Sequence, residues 1–143
     1  MTFEELYKVI EERKKTLPEG SGTTKLLTRG LDSILPKLNE ESFEIALALE
    51  YQGRDEVALE VSQCYYYLVC LAVFLGESYV SLQLQTKLES NISSKHELAK
   101  CIARTAAEIC HTPCLSTINR MPPLLLKALE LGGSNIEHMT THL

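Results

Sequence analysis

The sequence predicts an all-α protein, a bundle built from antiparallel helix hairpins. Three observations carry that expectation. Nearly every segment repeats its apolar residues at helical spacing, no segment alternates convincingly as a strand, and several runs open with side chains that cap helices. A chain of 143 residues has interior enough for one domain to fold without staples. With 45% hydrophobic and 23% charged residues it has the composition of an ordinary soluble globular protein. A net charge of -5 argues against general attraction to nucleic acid or to an anionic membrane.

The first helix is expected over Phe3 to Lys15, with Thr2 and Glu5 as a capping box and Phe3, Leu6, Val9 and Ile10 as its apolar stripe. This amphipathic, charged start has no apolar core of signal-peptide length, so export is not expected. Residues 16 to 23, "TLPEGSGT", form a Pro, Gly and Ser loop. A second helical region runs from about Thr24 to Tyr51, and Pro36 is expected to kink or restart it at the preceding residue. Gln52 to Arg54 make a tight turn, and Asp55 is the expected N-cap of a helix reaching Leu75. Its apolar run from Cys64 to Leu75 is too short to span a bilayer and reads as a buried helix.

Past Gly76 the helices shorten. "SSKHELAKCIARTAAEICH" starts with a capping box of Ser94 and Glu97 and is amphipathic to about Cys110. Leu115 to Leu131 is helical on both sides of "MPP", and Ser134 with Glu137 is expected to cap a last short helix. The five cysteines, an odd number scattered through apolar segments, suit reduced thiols in a cytoplasm better than a disulfide framework. Cys110 and Cys114 with His138 and His142 have zinc-ligand residue types, but a gap this long through ordinary apolar helix favours buried thiols and an exposed His pair.

Charge is unevenly spread. Seven of the 14 Lys and Arg precede position 38, whereas positions 38 to 60 carry seven acids and Arg54 alone of the bases. The short turn at Gln52 and Gly53 makes its flanking helices antiparallel, with residues level where their numbers sum to about 104. Glu44 then faces Glu60 and Glu41 faces Gln63, and each pair stands i, i+3 along its own helix. All four point into one groove about 12 Å from the turn. Carboxylates held there need either a raised pKa or a bound cation. Their oxygen ligands suit Mg²⁺ or Mn²⁺. Of the tyrosines at 65, 66 and 67, Tyr67 lies i+4 from Gln63 and should meet the groove, with core packing expected for the other two.

"LYKVIEERKKTLPEGSGTTKLLTRGLDSILPKLNEESFEIALA", followed by "EVALEVSQCYYYLVCLAVFLG", resembles the phosphoribosyl-ATP pyrophosphohydrolase family within the MazG-like all-α nucleotide pyrophosphatases. The matching positions are Arg13, Lys14, Pro18, Gly20, Ser21, Thr23, Lys25, Leu26, Gly30, Lys37, Glu40, Glu41, Glu44 and Glu60, within residues 4 to 88. The resemblance implies hydrolysis of the α,β-phosphate linkage of phosphoribosyl-ATP, in histidine biosynthesis, with release of pyrophosphate. By position it makes Glu41, Glu44, Glu60 and Gln63 the metal ligands. Glu40 becomes a ligand or a water-orienting base, acting beside Lys37 in catalysis. Arg13, Lys25 and Lys37, with Ser21 and Thr23, hold phosphates, although each of these bases also suits a solvated surface.

The chain departs from the family pattern where it carries Gln63 for the Asp of Glu-x-x-Asp and Tyr67 for a following His, and Asn39 and Ser42 replace a usual Gly and Ala. Two readings therefore stand at this point. One is a Mg²⁺-dependent enzyme acting on a nucleotide; the other is a catalytically impaired relative serving as a nucleotide-binding or interaction module. Residues 1–88 make the family-like domain and 89–143 a helical extension. "LVCLAVFLGESYV" from Leu68 and "LLLKALELGGSNI" from Leu124 align at a 56-residue offset, which fits a decayed repeat or chance similarity between leucine-rich helices. Family members pair so that two chains complete each bundle, so either a homodimer or a pseudo-dimer through the C-terminal half is expected, with no nucleic-acid or membrane partner.

Overall fold

The computed structural model describes residues 1–89 and 91–143, and among them it contains α-helices and one 3₁₀ turn but no strand. The first helix, α1 (Phe3–Thr16), has the expected capping box. The Thr2 hydroxyl accepts from the Glu5 N–H and the Glu5 carboxylate from the Thr2 N–H, both at 3.1 Å. Its buried face is Phe3, Leu6, Tyr7 and Ile10. Tyr7 replaces the expected Val9, which is exposed, because i, i+3, i+4, i+7 spacing puts Val9 at the edge of the stripe.

The next two helices, α2 (Gly22–Arg29) and α3 (Leu31–Tyr51), are separated at Gly30 rather than at Pro36. Gly30 has φ 73° and ψ -144°, and a Cβ built there would stand 2.9 Å from the Phe74 ring, so a side chain is barred both by conformation and by space. Pro36 stays inside α3. It forfeits one helical bond, to the Asp32 carbonyl, and both residues are exposed, so water can satisfy that oxygen. Ser21 caps α2 by accepting from the Thr24 N–H at 3.3 Å, which shortens the expected loop by starting the helix at Gly22.

Gln52 and Gly53 turn the chain into α4 (Arg54–Phe74). The N-cap is Gly53, not Asp55: the Glu56 carboxylate reaches back to accept from the Gly53 N–H at 3.2 Å. Asp55 instead bonds the His138 Nε2 at 3.0 Å. Helix α4 is the axle of the fold, packed against α1, α2 and α3 on one side of the sequence and against the C-terminal helices on the other. From Leu68 to Ala72 every side chain is 0% exposed. By length and composition α4 could cross a membrane, but 67% of its most apolar window is buried within the protein.

A 3₁₀ turn (Tyr79–Ser81) leads to α5 (Lys95–His111), α6 (Leu115–Ile118), α7 (Met121–Leu131) and α8 (Ile136–Thr140). Ser94 caps α5, accepting from the Glu97 N–H at 3.2 Å. The last helix is capped by Asn135, whose Oδ1 accepts from the His138 N–H at 2.8 Å. Ser134, expected in that role, sits one residue too early, and its hydroxyl is buried without a hydrogen-bond partner. Helix α5 lies along α3, α7 packs on α5 and α4, and α8 packs on α4, so residues on both sides of position 88 share one core. At the end of α7 a Cβ on Gly132 would meet Val57 at 2.7 Å, which marks how closely α7 approaches α4.

All five cysteines are free thiols. Among the described residues no three His, Cys, Asp or Glu side chains stand in a metal-binding arrangement. The Cys110 thiol points at the Leu35 carbonyl, and His138 and His142 stack edge-on with ring centroids 5.6 Å apart. His138 is half-buried rather than exposed, because Asp55 holds it.

Candidate active site

The α3 and α4 helices run antiparallel across the Gln52 turn, and their register is the one the sequence predicts: Glu41 of α3 lies level with Gln63 of α4. Leu38 and Ile45, a turn away on the same helix, are wholly buried, and that stripe carries Glu41 inward with them, to 7% exposure. Glu41 is the one charged side chain among the buried described residues. With its NH₂ turned toward the carboxylates, the assignment that its hydrogen-bonding surroundings require, Gln63 donates to both Glu41 oxygens and to Glu60 Oε2, each at 3.1 Å.

Burial, a hydrogen bond to Glu60 and the negative charges of Glu60, Glu40 and Glu44 push the Glu41 carboxyl up to about 8. Desolvation is the largest of these causes, since the charged form loses its water. Glu41, Glu60 and Gln63 thus form the centre. Glu44, half-buried, and Glu40, exposed, act on Glu41 through charge. The donor set is all oxygen, two carboxylates and an amide, and the surplus of negative charge at a buried position is what a hard divalent ion would relieve. Glu41, Glu60 and Gln63 could hold such an ion; Glu44, expected to converge with them, reaches Glu41 only through its charge, and among the described residues the three glutamates do not close into one metal-binding cluster.

The residues expected to hold phosphates make contacts of their own, and of the bases only Lys37 is seen to act on the acidic cluster, through Glu40. Lys37 pairs with Glu40 at 3.4 Å on the exposed face. Tyr67 meets the groove as expected: burial raises its hydroxyl, while the positive charge of Lys37 opposes that and the charges of Glu41 and Glu40 add to it. Arg13 donates to the Ser21 hydroxyl at 3.0 Å, tying the start of α2 to the end of α1. Thr23 is hydrogen-bonded to the Tyr66 hydroxyl. Lys25 is exposed.

Two contacts were not expected from the sequence. Tyr66, assigned there to core packing, anchors Thr23; it lies i+3 from Gln63, the same face that singled out Tyr67, so the signal was present. Lys14 donates to the Val73 carbonyl at 2.8 Å near the end of α4, a bond that no spacing rule foretells.

The family model described as phosphoribosyl-ATP pyrophosphohydrolase matches residues 3–80, which include every residue of this groove. The chain belongs to the phosphoribosyl-ATP pyrophosphohydrolase family. It is similar to a phosphoribosyl-ATP pyrophosphatase of Lactiplantibacillus plantarum, 40% identical over 92 residues, 64% of this chain and 87% of the relative. A phosphoribosyl-ATP pyrophosphatase of Limosilactobacillus fermentum is 40% identical over 77 residues, 54% of this chain and 73% of that protein. No solved structure matches the chain. In this phosphoribosyl-ATP pyrophosphohydrolase family member an amide, Gln63, completes a pair of carboxylates.

Proposed function

We propose that this chain is a divalent-metal-dependent nucleotide pyrophosphohydrolase that cleaves the α,β-phosphate linkage of phosphoribosyl-ATP, yielding phosphoribosyl-AMP and pyrophosphate. The observation that carries the reading is Glu41, a buried carboxyl set against Glu60 and Gln63 inside the span matched by the family. Mg²⁺ is the proposed ion, with Mn²⁺ as a substitute, because the donors are oxygens; it would polarise phosphate oxygens and acidify a bound water. Glu41, Glu44, Glu60 and Gln63 are the proposed ligands.

The chain's own groups supply position and charge. Arg13 and Lys25, with the hydroxyls of Ser21 and Thr23, hold the phosphates, and Lys37 offsets the charge that grows on them in the transition state. Glu40 orients the attacking water and accepts its proton. The Arg13–Ser21 and Tyr66–Thr23 hydrogen bonds tie the start of α2 to α1 and to α4, which limits the reorganisation these groups would need on binding phosphate.

The packing of α5 on α3 and of α7 on α4 supports a pseudo-dimer, in which 89–143 covers the 1–88 unit as a second chain would. A homodimer through other faces is the alternative, decided by the solution mass. The pairing of α7 with α4 also suits a decayed repeat, since the echoing segments lie on those two helices.

Pyrophosphate release from phosphoribosyl-ATP and a panel of nucleoside triphosphates, with and without Mg²⁺, tests the function. Turnover of phosphoribosyl-ATP that needs the ion and disappears in Glu41→Gln is expected. No turnover of any nucleotide with either Mg²⁺ or Mn²⁺ would leave the impaired, nucleotide-binding reading in its place.

A further inference from the structure

Gln63 presents a single atom to three carboxylate oxygens at one distance, 3.1 Å to Glu41 Oε1, Glu41 Oε2 and Glu60 Oε2. Without a cation, and with the proton of the acid pair lying between Glu41 and Glu60, that atom is the amide nitrogen, because an amide oxygen there would face acceptors alone. Its two hydrogens then serve three oxygens, one directed at Glu60 and one shared between the two oxygens of Glu41. A half turn of the planar amide exchanges nitrogen for oxygen and leaves the side chain in place.

The spacing suits the turned form as well. Oxygens about 2.1 Å from a Mg²⁺ ion in octahedral coordination lie about 3.0 Å from one another along each edge. An amide oxygen at the position now held by nitrogen therefore has the separation from the carboxylate oxygens that neighbouring ligands of one ion have.

We infer that Gln63 is a positioning residue with two working orientations. Its nitrogen braces Glu41 against Glu60 while the groove lacks a cation, and its oxygen turns to a divalent cation when one enters. The second half rests on the metal-dependent function proposed above; the first does not. An aspartate or glutamate at this position could accept a metal but could not brace two carboxylates in its absence. The substitution thus exchanges metal affinity for a groove that stays assembled when empty.

Three measurements on the full chain decide this. In metal-free buffer Gln63→Met, which keeps the side-chain length and removes both donor and acceptor, is expected to melt about 4 °C below the wild type. Gln63→Glu should fall at least as far, because a third carboxyl removes the amide donor and adds a negative charge beside two acids that already share one proton. Calorimetric titration with Mg²⁺ should show binding weakened about tenfold by Gln63→Met and tightened by Gln63→Glu. In the wild type, the ¹H–¹⁵N signals of the Gln63 side-chain amide should move and exchange faster with solvent on saturation with Mg²⁺, as both hydrogens leave the carboxylates.

A metal-free melting point of Gln63→Met equal to or above the wild type overturns the brace. Mg²⁺ binding that leaves the Gln63 amide signals unchanged overturns the turn. If the wild type binds no Mg²⁺ or Mn²⁺, the turn falls together with the proposed function, while the metal-free melting points still decide the brace.

Discussion

The two parts of the chain on either side of position 88 share one core yet bury different chemistry. Residues 1–88 bury Glu41, Ser42 and Ser62, whereas the described residues beyond bury Thr105 and Thr117 as their polar members. The hydroxyls mostly have an inexpensive partner close by. Ser42 donates to the Asn39 carbonyl, Ser62 to the Leu59 carbonyl, and Thr117 to that of Thr112. Glu41 is the exception, since its neighbours are another carboxyl and an amide. Where stability alone is at stake, buried polar groups turn to the backbone beside them; an ionisable carboxyl buried against another acid, and kept neutral only by a raised pKa, adds no such stability and is the kind of group found at functional sites. The C-terminal helices show no such buried acid among their described residues.

The largest effect should separate the two parts outright. Glu41→Gln is expected to lower kcat by about 10³-fold while leaving the metal-free melting point unchanged or higher, because the amide removes a buried acid. Ile102→Ala, in the wholly buried face of α5, should do the reverse, costing about 2–5 kcal/mol of stability in denaturant titration and sparing the activity of the folded fraction. If Ile102→Ala abolished turnover far below its own melting temperature, α5 would belong to the catalytic unit and the division would fail.

A smaller effect sharpens the site itself: Gln63→Asp should tighten Mg²⁺ about tenfold in calorimetry, since it restores a charged oxygen. The pH dependence follows from Glu41. Its carboxyl is raised from the ordinary 4.5 to about 8 in the folded protein, so the folded state holds a proton that the unfolded chain has released. Metal-free stability should therefore fall as pH rises through that interval and level off above it, a slope read from melting points across pH. Saturating Mg²⁺ should flatten the slope, because the ion favours the ionised form. The smallest change is expected at His138→Ala, which removes the bond to an exposed Asp55 and should cost less than about 1 kcal/mol with no effect on turnover.

Much of this arrangement was legible from residue spacing. The antiparallel register that sets Glu41 beside Gln63 needed only a short turn and the rise of a helix, and Thr2 and Ser94 sit where capping chemistry places them. The misplaced boundaries share one cause, a choice between neighbouring residues that only tertiary contact makes. Pro36 reads as a breaker until its exposed side of α3 is known, and Gly30 reads as tolerable until Phe74 is found against it. Asp55 and Ser134 have capping side chains, but His138 engages the first and burial takes the second, so Gly53 and Asn135 do the work. Lys14 reaches across to another helix, and a single sequence holds no record of that distance.

Cys64 sits on α4 one residue after Gln63, fully enclosed, and its thiol is raised both by that enclosure and by the charge of Glu41. An alkylating reagent can reach it only when the two long helices part, so the rate at which this sulfur is modified counts the openings of the hairpin. The chain thereby carries its own gauge of how tightly the groove is shut, readable by the mass that alkylation adds to one peptide.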